Sequence, residues 1–431
     1  MVKLIKYTIC AFLLPLSMMA QLVPQVREEI KTLTLQQAYD LSQQNYPVIK
    51  QKELIKQTAQ LSIENLQKGF LPQLSFSGQA TYQSDVTKVP VSLPGFTIES
   101  PSKDQYKLIA DVNQLIYDGG VTKAQKEYQQ LNAVVEEDKA EVELYKLKER
   151  INQLYLGILY LDEQAKQVAL VKADIESGIK KVEAQVANGV SFRSNLNMLK
   201  AELLKTGQRS IEINGNKKGL LDALSLFLGQ PLSEQVKLES PFAKNDILSN
   251  EVTRPELKLY SAQSDLIGQQ DKLITAKNLP KASVFAQGGY GRPGLNQLQN
   301  EFDFYYIGGV RLNWSLGGLY TKKKEKQQVE ISKKIVDIQK ETFLLNTNTQ
   351  LKQQDAEIKK MQQLIDSDIE IIELRQSVKE AAKAQLENGV ITANDYLKEI
   401  NAEDQARQSL VTHRLQQLQA QINYNTIIGK Q

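Results

Sequence analysis

The sequence predicts a mostly α-helical α+β fold in which one unit, long coiled helices plus a β-hairpin, is built twice. Three observations carry that prediction. Landmarks recur in one order at nearly equal distances, two long tracts favour helix without interruption, and shorter tracts between them alternate with period two. Pro47 and Pro72 lie 25 residues apart, as do Pro255 and Pro280. Leu71-Pro-Gln-Leu-Ser-Phe-Ser-Gly matches Leu279-Pro-Lys-Ala-Ser-Val-Phe-Ala, and glycine pairs follow at Gly119-Gly120 and Gly317-Gly318. Asn188-Gly189-Val190 and Asn388-Gly389-Val390 come next, and each half closes on a glycine 40 residues further on, Gly229 or Gly429. Self-similarity at a fixed spacing marks a repeated structural unit.

The chain opens on Met1-Val-Lys-Leu-Ile-Lys and then an apolar run to Ala20. That is a basic segment ahead of an apolar core of signal-peptide length, so residues 1–20 read as an export signal. Its removal would take Cys10, the only cysteine, and two lysines. A formal net charge of +3 would fall to +1. A chain so balanced lacks the basic stripe of a nucleic-acid binder, and without cysteine it has no disulfide or thiolate chemistry.

The first repeat is expected over 21–230: a helix, a β-hairpin about 73–117, a long helix 121–187 and a helix 193–228. A linker, 231–252, then leads to a second repeat over 253–431. That repeat holds a helix, a hairpin about 282–316, a long helix 319–387 and a helix 393–428. All 12 prolines lie outside 102–230 and 294–431, and those tracts are rich in Gln, Lys, Glu, Ala and Leu, which favour helix. Each long helix would run about 100 Å, too long for a globular core, so it must pack sideways in a bundle or tube. Leu344, Leu351, Ile358, Ile365 and Ile372 recur at coiled-coil intervals as core positions.

Helix starts are expected at Thr34 with Gln37, at Asn45 with Pro47 in the first turn, and at Thr253 with Glu256, the outer two as capping boxes. In each repeat the two shorter helices together match the long one. Stacked end to end they would run beside it, with the linker as a belt partway along.

Between helices the period switches to two. Leu74, Phe76, Gly78, Ala80 and Tyr82 alternate with polar neighbours, and Tyr106, Leu108, Ala110 and Val112 alternate with Lys107, Ile109, Asp111 and Asn113. Val284, Ala286, Gly288 and Tyr290 form one face, and Phe304, Tyr306, Gly308, Val310 and Leu312 another. Four strands with one apolar face have the character of outer-membrane barrel strands, but four cannot close around a channel, so several copies must contribute. The loops 83–105 and 291–302 would face the cell exterior.

At this point the residues resemble the TolC-like outer-membrane efflux proteins. The motifs are Leu33-Thr-Leu-Gln-Gln-Ala38, Lys68-Gly-Phe-Leu-Pro-Gln-Leu-Ser75, Leu115-Ile-Tyr-Asp-Gly-Gly120, and Glu387-Asn-Gly-Val-Ile-Thr392 running into Asn394-Asp-Tyr-Leu397. Trp314-Ser-Leu-Gly-Gly318 looks like a second copy of the Asp-Gly-Gly turn. The resemblance implies a homotrimer with a twelve-stranded β-barrel in the outer membrane, continued by a twelve-helix α-barrel through the periplasm. It implies a passive duct that receives substrate from a periplasmic adaptor (membrane fusion) protein and an inner-membrane pump of RND or ABC type. Outer-membrane lipid would surround the barrel.

The resemblance also assigns residues. The tips Asn188, Gly189, Val190, Asn388, Gly389 and Val390 would meet the adaptor. Asp395 matches a position whose carboxylates ring the periplasmic gate; three residues on stands Lys398, and the first-repeat counterpart is Asn195. The position just before, where a basic residue is common, holds Ile391. Asp395 is equally readable as a helix-start carboxylate favoured by the dipole.

Pro72, Gly119, Gly120, Pro280, Gly317 and Gly318 read as structural turns that let strand pass into helix. Asp111 and Arg311, on polar strand faces, either line the lumen or pair with each other. Trp314, Tyr117 and Tyr320 near strand ends are either interface anchors or ordinary packing.

No cofactor, metal or catalytic residue is expected. His413 is the only histidine, no phosphate loop or dinucleotide fingerprint appears, and Glu136-Glu137 sit adjacent on a helix and point apart. The alternative to an exit duct is a periplasmic coiled-coil scaffold or adaptor with no pore of its own.

Overall fold

The computed structural model describes residues 30–87, 100–241 and 251–430. The expected signal peptide and parts of the first strand loop and of the linker lie outside the described residues. Among those described, the chain forms seven helices, one four-stranded sheet and one two-stranded ladder.

The first repeat opens with β1 (Thr32–Leu33) and α1 (Leu35–Asn45). Thr34 caps α1 through the expected reciprocal pair: its hydroxyl accepts from Gln37 N at 3.2 Å while Gln37 Oε1 accepts from Thr34 N at 3.0 Å. Then come α2 (Ile49–Lys68), β2 (Gln73–Tyr82), β3 (Asp104–Tyr117), the 67-residue α3 (Val121–Ala187) and α4 (Arg193–Leu228). After β4 (Lys237–Leu238) the second repeat runs through α5 (Pro255–Lys277), β5 (Lys281–Arg292), β6 (Asp303–Asn313), the 70-residue α6 (Gly318–Glu387) and α7 (Ala393–Ile428).

Two expected helix caps are corrected. Asn45 does not cap α2, whose preceding residue Val48 makes no side-chain cap bond; its amide instead donates to the carbonyls of Leu226 and Phe227 at the end of α4. Thr253 forms no capping box either. Glu256 is taken by the guanidinium of Arg254, and Thr253 N donates to Ile428 O at 2.7 Å. Asn45, the last residue of α1, ties the turn that leads into α2 to the end of α4, and Thr253 ties the start of α5 to the end of α7. A β-carbon on Gly229 would strike Asn45, and one on Gly429 would lie 2.7 Å from Thr253. The pairs α4–α2 and α7–α5 therefore abut end to end beside the long helices.

The ladder between β1 and β4 is a parallel, two-residue pair, too short to leave a periodicity in the sequence. With α1 it packs on the middle of α3, where Tyr155 is fully buried among Leu33, Ile151, Leu224, Val236 and Leu238. The Tyr155 hydroxyl lies 2.6 Å from Leu33 O and 2.7 Å from Glu239 O, which fixes the described part of the linker at half height. A second apolar core joins the far ends of α3 and α4 to those of α6 and α7 through Ile175, Val182, Leu199, Leu386, Tyr396 and Ile400. Of the heptad positions, Leu351, Ile365 and Ile372 are buried. No described helix is long and apolar enough to cross a membrane.

Candidate functional site

The sheet runs β2-β3-β5-β6, antiparallel throughout. Its register aligns the alternation of all four strands. One face carries the rows Leu74–Val112–Ala286–Gly308, Phe76–Ala110–Gly288–Tyr306 and Gly78–Leu108–Tyr290–Phe304. The other carries Ser75–Asp111–Gln287–Ile307, Ser77–Ile109–Gly289–Tyr305 and Gln79–Lys107–Gly291–Asp303.

Exposure departs from the rule for a water-soluble sheet, because the apolar face is left uncovered. Phe76, Phe304 and Tyr306 on the apolar face are 77%, 79% and 87% exposed. On the polar face, Gly289 and Gly291 are buried and Phe285, Gln287 and Tyr305 half-buried. A sheet that buried its apolar face on a core would show the reverse. Strands of 10–14 residues suffice for the roughly 9–11 residues a tilted membrane strand requires.

Aromatic rings gather at both ends of the apolar face. Near the strand loops, Tyr290 lies 4.5 Å from Phe304 and 5.5 Å from Phe302 between centroids. Arg292, ion-paired with Asp104, stacks over Tyr106 and Phe302. At the helix end, Trp314 is half exposed and donates its indole N–H to Asn278 O at 3.1 Å, while Tyr117 and Tyr320 are exposed.

Asp111 and Arg311 share the polar face without meeting. Asp111 lies opposite Gln287, which donates to it at 3.2 Å. Arg311 lies opposite Ser283, four positions along β5, and stacks on Phe285 at 4.6 Å. The mutual ion pair open to them in the sequence is excluded by this register.

The strand-to-helix turns differ between repeats. Gly119 and Gly120 take φ of 76° and 83°, where a side chain is strained. Asp118 caps α3 there, accepting from Gly120 N at 2.8 Å and Thr122 N at 2.6 Å. Gly317 and Gly318 do not repeat this: neither has positive φ, and Gly317 begins α6 in ordinary helical geometry. Gly318 is small for another reason, since a β-carbon would strike Asn278. Pro72 and Pro280 directly precede β2 and β5.

At the opposite end of the long helices both tips form the same turn. Val190 N donates to Gln185 O and Gly189 N to Val186 O; Val390 and Gly389 do the same to Gln385 and Leu386. These are Schellman closures, with glycine left-handed at φ 72° and 71°. The amides of Asn188 and Asn388 donate to Ala184 O and Ala384 O, at 2.9 and 2.8 Å. Val190 and Val390 project, each 71% exposed.

Beyond the tips the repeats part. Asp395 completes a capping box with Thr392: its backbone N–H donates to the threonine hydroxyl at 3.2 Å, and its carboxylate accepts from that hydroxyl at 2.7 Å. Lys398 Nζ adds a contact at 3.4 Å. The Thr392 hydrogen bonds, and next Lys398, hold this carboxyl below the usual range. Asn195 forms no such box; its amide donates to Ser191 Oγ at 3.2 Å, and Phe192 begins α4 without a side-chain cap.

A charged joint that sequence reasoning missed ties the two helical coils just above the tips. Lys379 of α6 binds Asp174 of α3 at 2.8 Å and Glu403 of α7 at 2.5 Å; Arg407 holds the other oxygen of Glu403 at 2.6 Å. Arg209 of α4 reaches Asp404 of α7 at 2.8 Å. His413 Nδ1 lies 2.6 Å from Asp368. Burial alone would lower the Lys379 ammonium, but its two carboxylates outweigh that and raise it. Burial likewise favours the neutral form of Glu403, and Lys379 with Arg407 reverses it, holding Glu403 low.

Residues 38–230 match a family model described as outer membrane efflux protein. No curated protein sequence matches the chain. Among solved structures, the chain is similar to the outer membrane protein VceC of Vibrio cholerae, at 15% identity and a TM-score of 0.64, over 92% of this chain and 96% of that one. It is similar to CusC at 15% identity and 0.65, over 92% of each. The open-state MtrE outer membrane channel of Neisseria gonorrhoeae gives 12% and 0.63, over 92% and 89%.

Proposed function

We propose, from this resemblance to the TolC-like outer-membrane efflux proteins, that three copies of the chain close one pore. The pore would serve as the passive exit duct of a tripartite efflux pump or type I secretion system. The observation that carries the reading is the uncovered sheet: its apolar face is exposed and packs on no core, and among the described residues both edge strands, β2 and β6, are left without a partner strand. Unpaired strand edges are not tolerated in lipid, so β6 of one copy must meet β2 of the next. Four strands from each of three copies make twelve. The long helices prolong the conduit as a tube of twelve columns, α3, α6 and the abutting pairs α4–α2 and α7–α5 from each copy.

In this arrangement the barrel sits in the outer membrane with its loops outside, and the Asn-Gly-Val tips reach into the periplasm. The projecting valines of the tips would meet the helical hairpin of an adaptor, which links the tube to an inner-membrane RND or ABC-type pump. The pump supplies the energy. Asp395 of each copy would form a ring at the entrance. With Lys398 beside each carboxylate, the ring is partly charge-compensated, which weakens the field that would otherwise draw cations in. Asp111 and Arg311 would line the lumen.

The exposed apolar sheet disfavours the scaffold reading, since it would leave a large apolar patch in water. Purified protein should run as a trimer by light scattering and conduct ions in planar bilayers. A monomer that opens no pores, recovered from soluble periplasm, would overturn the proposal.

A further inference from the structure

The polar face of the sheet is hydrophilic apart from Ile109, Leu115 and Ile307 and two large rings, Tyr305 and Phe285. Each ring stands directly across from a glycine: Tyr305 opposite Gly289, Phe285 opposite Gly309. We propose that these two glycine–aromatic pairs set the bore of the barrel by folding the rings flat against its wall. The inference rests on the reading of this face as the lumen.

The geometry is sharpest at Gly289. A β-carbon there would overlap Cζ of Tyr305 and lie 2.6 Å from its Cε1. The phenol therefore lies across the glycine instead of rising from the sheet. Gly289 is buried although it sits in the middle of an open face, and Tyr305 is half-buried. Its chain neighbours Phe304 and Tyr306, which do rise from the opposite face, are 79% and 87% exposed. At the second pair, a β-carbon on Gly309 would lie 3.3 Å from Cε1 of Phe285. The Arg311 guanidinium covers that ring at 4.6 Å.

Neither glycine is there for its backbone. Both lack positive φ, so a β-branched residue suits the strand conformation. What glycine supplies is the vacant site into which the neighbouring ring lies down. Filling that site would force the ring up, and in a closed trimer two rings per copy would crowd the lumen from every side.

The test uses the cross-strand row Ser77–Ile109–Gly289–Tyr305. Cys10, the only cysteine in the sequence, is replaced by serine, and a reporter is placed by Ser77→Cys. The purified oligomer is treated with maleimide-polyethylene glycols of graded size, and the largest reagent that reacts is recorded. This readout samples the barrel from its open mouth and does not depend on the periplasmic gate.

Gly289→Val should lower the size limit and slow labelling by the largest admitted reagent several-fold. Gly289→Val with Tyr305→Ala should restore it. Tyr305→Ala alone should leave the limit unchanged, because the ring is already out of the way. An unchanged limit in Gly289→Val, or a clear widening in Tyr305→Ala alone, would overturn the inference while leaving the duct reading intact. The Tyr305→Ala arm decides even where Gly289→Val fails to assemble. A cysteine at position 77 that resists the smallest maleimide in the assembled parent would overturn the duct reading itself, and this inference with it.

Discussion

The two repeats keep one backbone and use it for different chemistry, and the difference includes the place where they touch. At the constant offset of 200 residues that aligns the tips, Ile179 faces Lys379, Leu203 faces Glu403, Leu204 faces Asp404, Gly207 faces Arg407 and Ile213 faces His413. Where the second repeat is charged or histidine at these positions, the first is apolar or glycine. Asp174 and Arg209 reverse the pattern, standing opposite Leu374 and Ser409. Four of these charges pair across the coils, Lys379 with Asp174 and Asp404 with Arg209, while Glu403 and Arg407 complete the network within the second repeat. A duplicated unit would otherwise offer two equivalent ways to pack one coil on the other. Complementary charges at such a joint select one of them, although a buried ion pair adds little stability over an apolar pair of the same shape.

The largest effect should come from breaking that joint on one side only. Lys379→Met strands the nearly buried Glu403 with Arg407 alone and leaves Asp174 facing an apolar chain. Thermal unfolding should show a loss of about 2–3 kcal/mol. The matching change in the first repeat, Ile179→Met, conserves volume and should cost less than about 1.5 kcal/mol. Equal losses at the two sites would mean that the repeats had not specialised.

Acidity probes the same joint. The folded pKa of Glu403 is depressed, so its contribution is fully present above the unfolded carboxyl pKa, about 4.3. It is lost as pH falls through the lower folded value. The stability gap between the parent and Glu403→Gln should therefore be widest at neutral pH and close under acid. A gap that is flat from neutral pH to about pH 3 would rule out the carboxylate as its source.

The strand-to-helix turns extend the contrast. Gly119→Ala must carry a β-carbon at φ 76° into a space 2.8 Å from Ala276 O, and should cost about 2 kcal/mol. Gly317→Ala meets open space in helical geometry, and should stay within about 0.5 kcal/mol of the parent, read by the same thermal unfolding.

What could be read in the sequence follows from the range of the interaction involved. Helix tracts, strand alternation and the Thr34–Gln37 cap depend on neighbours a few residues apart, and they stand in the structure as expected. So does the end-to-end docking of the short helices, because chain lengths alone constrained it. Asn45 and Thr253 misled because a capping residue and a docking residue look alike until the partner helix end, some 180 residues away, is in place. Gly317-Gly318 misled because a glycine pair does not say whether it serves backbone angle or close approach. The joint around Lys379 left little local signature: its members sit on three helices, and the one local pair, Glu403 with Arg407 four residues on, reads as a solvated helix face. A comparison of the halves at the 200-residue offset does not single it out either, since charge also changes at Lys172 against Ile372, Ile175 against Arg375 and Lys180 against Glu380.

The smallest effect is expected at the tips, and there the comparison is cleanest because the two turns are the same. Asp395 does two jobs in the proposed duct, capping α7 and charging the entrance, whereas Asn195 caps nothing. Asp395→Ala should cost up to about 1 kcal/mol through loss of the box with Thr392. Asn195→Ala should cost a few tenths at most, having no cap to lose. Asp395→Asn separates the two jobs, since an amide oxygen can still accept from Thr392 while the charge is gone. Its unfolding should stay near the parent, and any change in the cation selectivity of bilayer currents then reports the charge alone. Because Lys398 already offsets each carboxylate, that change should be small in the parent background and larger when Lys398 is also made Ala. A selectivity indifferent to both substitutions would leave Asp395 as a helix cap and nothing more.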